Sequence, residues 1–236
     1  MRLFLATAIF ATLPFVALAH EPERTDVDVK ELALEAILEN PEIILEAVAI
    51  LEQRERDQQN AGAAQVVADL KANNTAPVFG NPDGDVTIVE FFDYNCGFCR
   101  RSGPAIQALL ASDPNVRVIM REWPILGEAS VYASRAALAA RNQDKYEEFH
   151  WGLMTGAGRA SEATVRQLAT DLGMDVNQLM ADMTSMAVEA HIDESNQLAR
   201  TLGFTGTPAF IVEGQLRPGF MNEEELKQAV AAAREG

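Results

Sequence analysis

Only two cysteines occur in the 236 residues of this chain, and they stand together as Cys96-Gly97-Phe98-Cys99. The apolar run Val86-Thr87-Ile88-Val89-Glu90-Phe91-Phe92 precedes them and a helix-like stretch from about Gly97 to Ala111 follows. A pair this close is a poor structural staple, because the loop-entropy model gives only roughly 2 kcal/mol for so short a loop. Zinc would ask for two further ligands near by, whereas His20, His150 and His191 all lie far from the pair. Redox exchange remains. The first cysteine of such a pair stands at a helix N-terminus, where unpaired N–H groups and the positive dipole end favour a thiolate. Cys96 is therefore the expected nucleophile, and Cys99, one turn further in, the thiol that resolves a mixed disulfide.

The first residues bear on compartment. Met1 to Ala19 carries a lone Arg2, an apolar stretch from Leu3 to Val16, and Ala17-Leu18-Ala19 before His20. This is the pattern of a cleavable signal at 1–19, and it directs the cysteine pair to an oxidising compartment, the periplasm of a Gram-negative bacterium. The apolar run is too short for a membrane span. A net charge of −16, from 19 basic and 35 acidic residues, excludes nucleic acid as a natural partner, because phosphate contacts draw on clustered Lys and Arg.

Residues 20–76 form a separate, Glu- and Ala-rich region with helical propensity. Leu32, Leu34, Ile37 and Leu38 give a first helix an apolar face, and Asn40-Pro41-Glu42 reads as a restart, with Asn40 the N-cap of a second helix. Ile44, Leu45, Val48 and Leu51 continue the stripe. The run from Glu52 to Asn60 holds no apolar residue, before Val66, Val67 and Leu70 resume a weak one. An arm apolar at one end and polar in the middle suits burial against copies of itself, so 28–72 is the expected oligomerisation segment. Its alternative is that the segment folds back on its own domain.

Residues 77–236 read as one α/β domain. Val116 to Arg121 is a second strand, parallel to the first through a βαβ unit. Helices follow between about 128 and 202, with Ser161 and Asp175 as caps. After Gly206-Thr207-Pro208 come a hairpin built on Ala209-Phe210-Ile211-Val212 and a last helix from about Asn222 to Arg234.

The stretch Glu90 to Cys99 and the segment Gly206-Thr207-Pro208-Ala209-Phe210 resemble the DsbA-like thioredoxin-fold oxidoreductases, which carry a helical insertion in the thioredoxin fold. Within that family the chain looks most like the suppressor-of-copper-sensitivity C (ScsC) branch, whose members have an N-terminal helical extension that in some cases trimerises. The resemblance implies that Thr207-Pro208 is the cis-proline loop beside the cysteines, offering backbone groups to an extended substrate, with Gly97 and Phe98 facing the same substrate. It implies that Glu90 is the family's buried acid, able to take the proton of Cys99, and that Pro104 is the proline inside the active-site helix.

It also bears on direction. Oxidising members have Pro-His between the cysteines and Val before the cis-proline, whereas Gly97-Phe98 with Thr207 is similar to the isomerase and reductase side. The expected function is thus an exported protein disulfide isomerase or reductase, kept reduced by a membrane partner and acting on cysteine-bearing proteins. The rivals are a disulfide-introducing oxidase and a copper-binding chaperone. No cofactor and no metal ligand is expected: Met174, Met180, Met183 and Met186 could bind Cu(I), but methionines at this spacing are more often helix core. His150 reads as a packed helical histidine, and Arg100 and Arg101 as surface arginines.

Overall fold

The computed structural model describes residues 26–73 and 75–235. The expected signal segment, with its cleavage site before His20, lies outside the described residues. The chain divides into two units, residues 1–52 and 53–236.

In the first unit, helix α1 (Asp26–Glu39) is followed by the start of α2 (Glu42–Asn73). Asn40 does not act as the expected N-cap of α2. Its amide instead donates to the Ala36 carbonyl at 3.1 Å, closing the open C-terminal end of α1. The apolar side chains of this unit lie open: Val27, Val29, Leu32, Leu34, Leu38, Ile43, Ile44, Leu45, Val48, Ile50 and Leu51 are all exposed.

The second unit is built on a five-stranded sheet of order β1-β3-β2-β4-β5, from β1 (Val78–Gly80), β2 (Val86–Phe92), β3 (Val116–Glu122), β4 (Ala209–Val212) and β5 (Gln215–Pro218). β2 runs parallel to β3 and antiparallel to β4, and so is paired on both sides. That explains its dense β-branched and aromatic sequence: all seven residues are buried, as expected of a central strand. The crossover from β2 to β3 is α3 (Gly97–Ser112), which holds Pro104 in its interior. Between β3 and β4 the chain makes α4 (Glu128–Ala140), α5 (Tyr146–Thr155), α6 (Glu162–Asp171), α7 (Val176–Asp182) and α8 (Met186–Thr201), and α9 (Glu223–Glu235) closes the chain. The Ser161 and Asp175 side chains cap α6 and α7.

Side-chain alternation sorts the strands between two cores. Val86, Ile88 and Phe92 of β2 join Cys96, Cys99, Ile106 and Leu109 in the larger core, and Glu90, at the same parity, shares that face. Val89 and Phe91 point the other way, toward Ile119, Leu202, Phe204 and Ile211. This second face is covered by the later part of α2, where Ala63, Val67 and Leu70 are buried.

The helical region expected over 20–76 is therefore not one arm. Its stretch from about Asn60 onward is part of the second unit. Asn60 donates to the Gln215 side chain at 3.0 Å and accepts from Leu216 N at 3.1 Å, so α2 also covers the open edge of β5.

The approach of α2 to the β4–β5 turn is close. Gly214 has φ +85°, and a Cβ there would lie 2.7 Å from the Ala64 Cβ and 2.9 Å from its Cα. Gly214→Ala is expected to destabilise the protein by about 2 to 3 kcal/mol, combining the left-handed backbone with overpacking. Urea unfolding measures it, and a loss below about 0.5 kcal/mol would show that α2 does not bear on the hairpin there.

Candidate active site

The site begins where β2 ends. Asp93, fully buried, turns the chain: one carboxylate oxygen accepts from Asn95 N at 2.7 Å, the other from Ile125 N and Leu126 N, each at 2.9 Å. It thereby fixes the loop after β3 alongside the start of α3. Asn95 adds a second tie, bonding Ser130 Oγ at 3.1 Å and the Ala160 N–H at 2.8 Å. Both residues hold the peptide that carries Cys96. Neither is singled out by sequence reasoning, because the partners that tie them to the rest of the fold lie 32 to 65 positions away.

Cys96 is the N-cap residue of α3, with its sulfur 3.4 Å from the Cys99 N–H. Its thiol also lies 3.2 Å from the Thr207 carbonyl, to which it can donate. The Thr207–Pro208 bond is cis, in keeping with the resemblance, and that loop and the cysteine pair face one another. The Cys99 thiol donating to the Cys96 sulfur is the largest influence on it. Together with the Thr207 side chain and the backbone N–H groups of Cys99 and Phe98, it outweighs burial and lowers Cys96 to about 5. Burial acts the other way on Cys99, which is held far above the usual thiol range. Both cysteines are free thiols in the structure. The arrangement thus sets a ready thiolate one helical turn from a thiol that keeps its proton.

Glu90 is 1% exposed in the middle of β2, opposite Met120 and Phe210 in register. Its Oε1 has no hydrogen-bond partner among the described residues. Burial, then the nearby Cys96 charge, raises it to about 8. Its charge in turn bears on Cys99. A carboxyl poised near neutrality beside a protonated thiol can exchange a proton with it.

The two arginines after the pair differ. Arg100 bonds the carbonyls of Met154, Gly156 and Gly158, and so ties α3 to the segment after α5. Arg101 lies over the exposed Phe98 ring. His150 is buried among Phe79, Phe92, Tyr94, Tyr146 and Trp151, 3.0 Å from the Tyr94 hydroxyl, and burial lowers it to about 3. Met174 and Met183 are buried, Met180 accepts from the Tyr132 hydroxyl, and Met186 is 88% exposed. The four methionines do not present a common exposed face.

A thiolate-bearing dithiol at a helix N-terminus, facing a cis-proline at the end of a mixed sheet, defines a thioredoxin-fold thiol:disulfide oxidoreductase. Residues 87–231 match the DsbA-like thioredoxin domain, and the chain belongs to that family. Residues 27–58 match the N-terminal domain of the copper resistance protein ScsC.

Among solved structures, a thioredoxin-like oxidoreductase from Silicibacter pomeroyi is 54% identical, with a TM-score of 0.69, over 71% of this chain and 96% of that one. A linker-deletion mutant of ScsC from Proteus mirabilis is 25% identical, with a TM-score of 0.70, over 92% of this chain and 99% of that one. A Na(+)/H(+) antiporter, NhaA 1, from Salinispora arenicola is 30% identical over 67% of this chain, which spans only 25% of that relative's length. Among the described residues no helix is long and apolar enough to cross a membrane.

Proposed function

We propose that this protein is an exported oxidoreductase of the periplasm that rearranges or reduces disulfides in client proteins, with a membrane partner restoring its dithiol. The observation that carries the exchange chemistry, whichever way electrons flow, is the asymmetry of the pair: Cys96 lowered to about 5, Cys99 buried and pushed far up. Cys96 thiolate attacks a client disulfide, forming the Cys96–client bond and releasing one client thiolate. Cys99 then gives its proton to Glu90 and attacks Cys96 Sγ, releasing the second client thiolate and leaving Cys96–Cys99 oxidised. If the released client thiolate attacks first, the client disulfide is rearranged and the pair returns reduced.

Two features support rearrangement over one-way oxidation. Gly97-Phe98 and Thr207 are similar to the isomerase side of the family. The large apolar residues from Val27 to Leu51 other than Ile37 are exposed in a single copy, and burying such a stripe is the usual drive to self-association. A homo-oligomer joined through this segment, a trimer as in some ScsC-like proteins, would surround a misfolded client with several dithiols.

The test is refolding of scrambled ribonuclease by the chain from His20 and by a chain beginning at Gln53, with solution mass measured for both. Truncation at Gln53 rather than at Pro77 keeps Ala63, Val67 and Leu70 in the core. The expected outcome is an oligomer whose isomerase rate falls about tenfold when the arm is removed, by loss of avidity, while simple reduction persists. Equal isomerase rates from a truncated monomer would remove the arm from the reading.

A disulfide-introducing oxidase is the second reading, and Cys96 itself favours it: a value of about 5 lies between the roughly 3.5 of strongly oxidising pairs and the roughly 7 of thioredoxin. Equilibration with glutathione decides. A potential close to about −120 mV supports the oxidase, and one close to about −180 to −200 mV the isomerase.

A further inference from the structure

We propose that Arg101, whose guanidinium lies over the rings of Phe98 and Phe220, recognises an acidic residue beside the disulfide of the client segment. This deepens the exchange reading above and rests on it.

The guanidinium carbon lies 4.3 Å from the Phe98 ring centroid and 5.3 Å from that of Phe220. Phe98 belongs to the first turn of α3, between the two cysteines; Phe220 belongs to the loop between β5 and α9. That loop is bonded to the cis-proline segment, Gly219 N donating to the Pro208 carbonyl at 3.0 Å. The three side chains therefore bridge the two structures that flank the Cys96 sulfur.

Both rings are open to solvent, Phe98 at 53% and Phe220 at 38%. Aromatic rings against a guanidinium orient it by its face and leave its edge, with its fork of N–H donors, available to a planar carboxylate. Among the described residues the Arg101 guanidinium makes no hydrogen bond and no ion pair, in a chain with 35 acidic residues. Arg100, its neighbour, has its donors on three backbone carbonyls.

The alternative task for a cation here is to hold the Cys96 thiolate. The groups that lower Cys96 are Cys99, Thr207 and the backbone of Cys99 and Phe98, and Arg101 is not among them. Arg101 is exposed beside the two rings, where a segment docking across Phe98 and Phe220 can meet its charge. The chain's net charge of −16 adds selectivity: an acidic segment is disfavoured by the protein as a whole and favoured only where this edge can meet it.

The test uses the full chain in its dithiol form and two disulfide-bonded peptides alike except for Asp or Lys beside the target cysteine. Rates of mixed-disulfide formation are compared at 0.15 M salt, where the Debye length of about 8 Å limits the readout to local charge. The quantity read is the Asp-to-Lys rate ratio within each variant. It is expected to fall about fivefold in Arg101→Gln, about tenfold or more in Arg101→Glu, and less in Arg101→Lys, which keeps the charge without the planar fork. Phe220→Ala, which leaves the charge but loosens its hold, is expected to lower it as well.

A ratio unchanged in both Arg101→Gln and Arg101→Glu overturns the proposal while leaving exchange chemistry standing. Absence of exchange with either peptide, with Cys96 still reacting with dithiodipyridine, overturns both.

Discussion

Replacing Cys96 by serine is expected to slow exchange by more than about a thousandfold, because the thiolate is both nucleophile and leaving group. Cys99→Ser should leave the first attack intact and accumulate a mixed disulfide with the client. The pH dependence follows from the site. A thiol held at about 5 is ionised for about 99% of molecules at pH 7. Alkylation of Cys96 by iodoacetamide should therefore be flat above about pH 6 and fall about tenfold per unit below 5. In Cys99→Ala the largest lowering influence is gone and the midpoint moves up. A wild-type midpoint near the ordinary thiol value of about 8.5 would sink the assignment.

The same lowering bears on stability and direction. Cys96 in the dithiol form has its pKa depressed from an ordinary value of 9.0, so the contribution is complete above 9 and lost as pH falls through about 5. At pH 7 the roughly two units between that value and neutrality correspond to about 2.7 kcal/mol, which solvent screening at this partly buried sulfur reduces to on the order of 2 kcal/mol, and it belongs to the dithiol, because the disulfide has no thiolate. Stabilising the dithiol makes the pair a better oxidant by about 40 mV. Any preference for rearrangement must then rest on how clients are held as well as on the pair. Unfolding of the dithiol and disulfide forms at pH 5 and 8 checks this: the dithiol's advantage should grow with pH.

What the sequence discloses and what it hides both have physical causes. Strand β2, the dithiol and the cap residues Ser161 and Asp175 announce themselves because their signals are local. Strand β1 is hidden: Val78-Phe79-Gly80 is three residues long, too short for any period, and exists because its backbone pairs with β3. The role of α2 is hidden for a different reason. Ala63, Val67 and Leu70 make a faint stripe, yet small residues let a helix lie close on a sheet and against Gly214.

Within the site, Glu90 is conspicuous as the single charge in an apolar strand. Arg101 and Phe220 stand 119 positions apart, and only the bend of the chain around the cis-proline loop brings them together. The cis bond itself follows from resemblance alone, since nothing in Gly-Thr-Pro distinguishes it locally.

Glu90→Gln is expected to slow resolution of the mixed disulfide by about 10² to 10⁴, the usual range for a lost proton acceptor, with the first attack little changed. In the dithiol state the Cys96 charge helps burial to keep Glu90 protonated. Once Cys96 is bonded to a client that charge disappears, and Glu90 ionises more readily. In the proposed mechanism the acceptor would thus be readied at the step in which Cys99 must lose its proton. Stopped-flow should show the mixed disulfide accumulating in Glu90→Gln, and resolution at the wild-type rate would remove Glu90 from the mechanism.

A second readout separates this from a packing role. The folded pKa is raised, so the folded state holds the proton more tightly than the unfolded one, and stability falls as pH rises from about 4.5 toward 8. In the disulfide form, where no Cys96 charge interferes, burial alone raises Glu90 and the loss between pH 5 and 8 should be about 1 to 3 kcal/mol. The glutamine variant lacks the ionisation and should show no such slope. A slope equal in both proteins would mean that Glu90 titrates like an ordinary carboxyl, and could not serve Cys99 as its base.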